Sequence, residues 1–253
     1  MFTKAIVRIP GQSMVSGIST ADLGKPNYAT ALLQHQTYVQ SLEACGLEVT
    51  VLSPKEEYPD STFVEDAALL TKKCAIITRP GALSRRGEID SIRIAVSQFY
   101  SDIATIQEPG TLDAGDVMMV GDHFYIGLSE RTNLEGANQL IAILKKHELT
   151  GSTVLLKKVL HLKTGLAYLE NRNLVISGEF MDCSEFQSFN RISVRPEESY
   201  AANCIWINGT VLIPLGYPET KNKIEKAGYP TIEVNVSEFR KLDGGLSCLS
   251  LRF

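Results

Sequence analysis

The stretch DAALLTKKCAI, residues 66–76, decides the fold, because its shape returns three more times. A polar or glycine position leads four mostly apolar residues; a three-residue turn and three apolar residues follow. DVMMVGDHFYI (116–126), GLAYLENRNLV (165–175) and NCIWINGTVLI (203–213) keep the same register. Two short apolar runs around a Gly, Asn or Lys-rich turn predict a β-hairpin, and Asn208-Gly209 is a strong hairpin dipeptide. The starts recur at intervals of about 40–50 residues, the period of propeller-like arrays.

Between the hairpins, apolar spacings of three and four predict helices over 29–44, 88–100 and 133–147. Short strands follow them, at 48–52, 153–156 and 231–234. The repeating unit is therefore hairpin, helix, strand. A fifth copy is incomplete: GLSCLSL (245–251) supplies a single strand. The apolar residues 5–9 supply its partner, which joins the two ends of the chain and leaves no free edge. The expected fold is α/β, a five-bladed α/β-propeller of pseudo-fivefold repeats closed by the N-terminal strand, with 1–253 as one domain. The alternative is two ordinary α/β sheets with chance similarity; four copies in one register favour the ring.

With 253 residues, 44% of them hydrophobic, the chain has material for a large core. Twenty-five basic residues against 29 acidic ones, without a long basic tract, argue against nucleic acid as a partner. No apolar leader and no apolar run of about 18 residues occur, so neither secretion nor a membrane span is expected. Five cysteines without a CxxC pair fit free thiols in a cytoplasmic protein. Dinucleotide, P-loop and GxSxG motifs are missing, and His147-Glu148 continues without a second histidine. A zinc site needs a denser Cys/His set. Neither a metal nor a cofactor is expected.

The segments with unusual chemistry are FVED (63–66), LDAGD (112–116), LHLKTG (160–165) and DGGLSC (243–248). In the repeat they fall at one end, where the first residues of the hairpins approach the axis. They would bring carboxylates, His161 and Cys248 together, and a thiol nucleophile needs an acid–base partner and a held electrophile. The blander readings are a cysteine filling the core, a satisfied core histidine, and acids capping turns. One of Asp113 and Asp116 is expected to serve the backbone. The loop RPGALSRRGE (79–88) carries arginines able to grip a carboxylate.

FVEDAALL, ITRPGALSRRGE, LDAGDVM, FYIGLSERTN, LHLKTG, AANCIW and DGGLSC together resemble the dimethylarginine dimethylaminohydrolases of the pentein superfamily, in order along nearly the whole chain. The resemblance implies hydrolysis of Nω-methylated arginines to citrulline and a methylamine, on a small-molecule substrate without cofactor. It makes Cys248 the nucleophile, His161 the general acid–base and Asp113 the third catalytic residue, with Asp66 and Asp113 holding the guanidinium. Asp60 and the main chain near Ile18 and Leu242 meet the α-amino group, Arg85 and Arg131 clamp the α-carboxylate, and Glu65 lines the pocket. The family carries Glu or Asp at 113, and aspartate reaches less far. Gly11 and Gly17 give residues 10–19 the composition of a mobile lid. A homodimer is compatible with the resemblance. Deiminase action on unmethylated arginine, or ligand binding without catalysis, are the alternatives; no helical insert of the longer deiminases interrupts the repeats.

Overall fold

In the computed structural model, which describes residues 1–253, runs of apolar residues place the middle strand of each sheet between two cores, while third strands such as β2 are half-exposed. The chain begins with β1 (Lys4–Arg8), α1 (Tyr28–Ala44) and β2 (Glu48–Leu52). The hairpin of β3 (Ala68–Leu70) and β4 (Ala75–Ile77) leads to α2 (Glu88–Val96) and β5 (Ile103–Thr105). The second hairpin, β6 (Val117–Val120) and β7 (His123–Leu128), leads to α3 (Leu134–Lys146) and β8 (Thr150–Leu155). Next come β9 (Leu166–Tyr168), β10 (Asn173–Ile176) and β11 (Asn190–Ser193). The chain then runs through β12 (Ile205–Ile207), β13 (Thr210–Pro214), α4 (Pro218–Lys226), β14 (Thr231–Val234), α5 (Ser237–Arg240) and β15 (Leu251–Arg252).

These strands form five three-stranded sheets, in which an antiparallel hairpin is followed by a parallel third strand. The fifth sheet, ordered β15-β1-β2, draws on both ends of the chain: Ala5 pairs with Arg252 and Ile6 with Leu251. All four hairpins lie where the repeat predicts them. Asn208 and Gly209 both take positive φ, at 51° and 99°, as the two-residue turn between β12 and β13 requires.

Each middle strand feeds two cores. Ile76 of β4 packs with Phe124, Ile126 and Leu140, while its neighbours Ala75 and Ile77 pack with Ile92 of α2. Leu174 and Ile176 of β10 face Met118 and Val154; Val175 faces Val211 and Ile213. Leu212 of β13 joins Ala5, Val7 and Tyr38, whereas Ile6 and Leu251 join Val64 and Ile77. No helix of the structure is long and apolar enough to cross a membrane.

Three features depart from the sequence reading. The third repeat has no α-helix: 3-10 turns at Gly178–Asp182 and Ser184–Phe186 connect β10 to β11, and buried Phe180 and Phe186 fill the space. The segment lacks a sustained helical apolar stripe, so two aromatic plugs replace a helix face. Helix α4 is required by the repeating unit but falls outside the three helical patterns read from the sequence, because Ile224 is its only buried apolar side chain. Residues 245–251 are not one strand. Ser247–Leu249 form a 3-10 turn and only Leu251–Arg252 are extended.

Candidate active site

Comparable 3-10 turns precede the first strand of the other four sheets, and they carry the chemistry. Val64–Ala67 holds Glu65 and Asp66, Ala114–Asp116 follows Asp113, Leu162–Thr164 follows His161, and Pro196–Ala202 precedes Asn203. A 3-10 turn is tight, so it ends a strand with side chains projecting off the sheet rather than alternating across it. All five turns thereby deliver polar side chains to one end of the molecule.

His161 and Cys248 border one cavity of about 50 Å³, together with Ile18, Asp60, Asp66, Arg85, Arg131 and Leu242. Phe63, Leu160, Thr20, Asp243 and Gly244 complete its wall and were not singled out from sequence. The Asp243-Gly-Gly triplet did hold a signal: Asp243 takes a positive φ of 57°, which turns the backbone into the cavity.

Asp113 is fully buried behind the imidazole and does not border this cavity. Its Oδ2 lies 3.1 Å from His161 Nε2, and its Oδ1 accepts from the Gly81 amide at 2.9 Å. Asp113 was expected to hold the guanidinium; here one oxygen is spent on His161 and the other on the Gly81 amide, and the side chain stands behind the wall rather than on it. Asp116 serves the backbone, accepting from Leu162 N–H at 3.0 Å and Ser129 Oγ at 2.7 Å. It pins the turn that follows His161. Gly115 keeps the acids and imidazole close, since a Cβ there would lie 2.7 Å from Asp66 Oδ1 and 3.0 Å from the His161 ring.

Arg85 stands on this wall beside Arg131, with its side chain held by the protein. Its guanidinium forks onto Glu88 at 3.0 and 2.9 Å, donates to Asp66 Oδ2 at 2.6 Å and to the Phe63 carbonyl at 3.0 Å. Glu88, three residues on, takes two of its five donors. Arg85 therefore aims Asp66, while the Arg131 guanidinium has no ionic or hydrogen-bonded partner on the same wall. Asp60 receives the Ile18 amide at 3.0 Å, and Gly17 beside it leaves room for that approach. Ser19 Oγ and Thr20 Oγ1 fasten the same loop to the Lys241 carbonyl and to Asp243. Leu242 is buried against the core.

Glu65 is not on this wall, although it borders a second small cavity with Cys248 and His161. It accepts from Lys163 at 2.7 Å, Ser247 Oγ at 2.8 Å and Arg252 at 3.3 Å, and borders a separate cavity of about 140 Å³. First strands of all five sheets line that cavity too, through residues such as Ala68, Met118, Leu166, Ile205 and Leu251.

The electrostatics follow from this crowding. Burial lowers the His161 pKa, but the charge of Asp66, the hydrogen bond that the ring donates to Asp113 and the charge of Asp116 outweigh it and raise it to about 9. Burial opposes ionisation of Asp66, yet His161 and Arg85 bring its pKa down to about 2. Burial pushes the Cys248 thiol up to about 12, with the charges of Glu65 and Asp66 adding to the effect. Asp66, Asp113 and His161 offer ligand atoms within 4.8 Å of one another. A protonated imidazole held by two carboxylates makes an ion-pair cluster there, not a metal cage.

Residues 20–194 match the family described as N,N dimethylarginine dimethylhydrolase, eukaryotic. The chain is 59% identical, over all of both chains, to the N(G),N(G)-dimethylarginine dimethylaminohydrolase of Pseudomonas aeruginosa. It is 36% identical to the Streptomyces coelicolor enzyme of that name, covering 98% of this chain and 96% of the relative. A crystal structure of the Pseudomonas aeruginosa enzyme, a Cys-to-Ser mutant complexed with citrulline, superposes with a TM-score of 0.99 at 58% identity over both full chains. The N-terminal domain of the cyanobacterial arginine dihydrolase ArgZ shares the fold, with a TM-score of 0.89 at 20% identity over 100% of this chain and 97% of that one. The turn-borne site and these full-length similarities lead to one conclusion: the chain belongs to the dimethylarginine dimethylaminohydrolase family.

Proposed function

We propose that this protein hydrolyses Nω-methylated arginines, asymmetric dimethylarginine and monomethylarginine, to citrulline and dimethylamine or methylamine through a covalent adduct on Cys248. The observation that carries the reading is the meeting of Cys248 and His161 on one cavity wall with Asp60, Asp66 and Arg131. The five sheets are read as a closed ring, a single catalytic domain over 1–253. A shared cavity at the first strands and a core of Ile6, Leu251 and Ile77 support that closure.

A guanidinium carbon is a weak electrophile because its charge is spread over three nitrogens. Asp66, held rigid by Arg85 and the Gly115 amide, accepts from the planar fork and sets its carbon towards sulfur. Arg131 grips the α-carboxylate; Asp60 and the main chain at Ile18 and Leu242 take the α-amino group. Thiolate attack gives a tetrahedral adduct. His161, an imidazolium below pH 9, protonates the departing amine, and a thiouronium remains on Cys248. The neutral imidazole then takes a proton from water, whose attack on the thiouronium carbon releases citrulline and restores the thiol. Asp113 keeps the imidazole oriented through both steps.

Citrulline release from asymmetric dimethylarginine, compared with arginine, tests the reading. Release from the methylated substrate far exceeding that from arginine, its loss in Cys248→Ser, and a quenched adduct on Cys248 are expected. Equal rates on both substrates would overturn the substrate assignment; no adduct and no citrulline would leave only a binding protein.

A further inference from the structure

Nothing in the steps above fixes how the thiol, carried by the last turn, is aligned with an imidazole carried by the third. One buried amide joins them. Asn203 Nδ2 donates to the Lys163 carbonyl at 2.8 Å and to Ser247 Oγ at 3.0 Å, while its Oδ1 accepts from the Ser247 amide at 3.0 Å. Lys163 is two residues past His161, and Ser247 immediately precedes Cys248. Gly245 admits the amide: a Cβ there would lie 2.4 Å from Asn203 Oδ1. Ser247 Oγ passes on to Glu65, whose other oxygen takes the Lys163 ammonium, so the turn holding Asp66 is tied into the same bracket. Asn203 borders a small cavity behind Cys248 and His161 but is absent from the wall proposed to bind substrate.

We propose that Asn203 is a positioning residue that fixes the Cys248 turn relative to the His161 turn. Three of the four hydrogen-bonding positions of the amide are used: two donors to two different turns and an acceptor on the thiol's own turn. Alanine loses all three bonds without changing charge. Aspartate keeps the shape and the acceptor but loses both donors, and adds a negative charge near Glu65.

The inference rests on the proposed roles of Cys248 and His161, so citrulline release by the wild type is read first; its failure overturns the activity itself. With an active wild type, Asn203→Ala and Asn203→Asp are compared by steady-state kinetics, thermal melting and the pH dependence of Cys248 alkylation by iodoacetamide. A misaligned thiol predicts kcat lowered about 100-fold with KM nearly unchanged. The alkylation midpoint stays at the wild-type value in Asn203→Ala and moves to higher pH in Asn203→Asp. Wild-type kcat in either folded variant, a rise in KM with kcat kept, or loss of folded protein in both variants would overturn the positioning role.

Discussion

Asp113 and Asp116 lie three residues apart in LDAGD and do different work, one behind an imidazole and one under a turn. The sequence allowed that division without saying which acid took which part; only the direction of the chain through Ala114–Asp116 decides it. Because the Asp113 hydrogen bond raises the His161 pKa, Asp113→Asn should lower it. The high-pH limb of kcat/KM, set by loss of the imidazolium at about 9, should then move to lower pH, with kcat reduced roughly 100-fold or more. A limb that stays in place would remove Asp113 from the proton-transfer unit. The thiol at about 12 lies above the imidazole at about 9, so thiolate with imidazolium is a minority state of the free protein. A bound guanidinium offsets the carboxylates that oppose the thiolate. Ultraviolet titration of the thiolate should therefore show a lower midpoint with a non-reacting arginine analogue, by about one unit or more. Identical midpoints would rule out ionisation assisted by the ligand. The arginines were less legible: nothing in RPGALSRRGE announces that Glu88 will occupy Arg85 and leave the free charge on Arg131.

Hairpins were legible as elements because their period is two and their turns are chemically marked. The 3-10 turns ahead of the first strands were not, since four of the five are only three or four residues long and cannot display a periodicity. That is why Cys248 looked like a strand residue. The same short scale makes the fifth sheet dependent on few side chains. Leu251, buried between Ile6 and the first sheet, is one half of its β1 pairing. Leu251→Ala should cost about 2–4 kcal/mol by urea unfolding, whereas Leu83→Ala, at a side chain 74% exposed, should change stability by less than about 0.5 kcal/mol. Equal effects would show that the terminal pairing contributes nothing to the fold.

At the scale of the molecule, the repeat was visible because four registers agree, each middle strand serving two neighbouring cores at once. The third unit escaped the pattern, since Phe180 and Phe186 solve the packing without a helix. The proposed preference for methylated substrate belongs to this scale as well, because the cavity wall combines side chains from several turns and the loop at Ile18.

The pairing of β1 with β15 also bears on time. Those strands are separated by every other sheet in the chain, so their contact closes the longest loop in the molecule and belongs to the slow part of folding. Local contacts favour early helices and hairpins, so the turn bearing Cys248 is expected to reach its place only when the two ends meet. During refolding from urea, far-ultraviolet dichroism should therefore recover before citrulline release does, and the lag should lengthen in Leu251→Ala. Reactivity would then be the last property this chain acquires, and a partly folded molecule would carry its thiol without its partners.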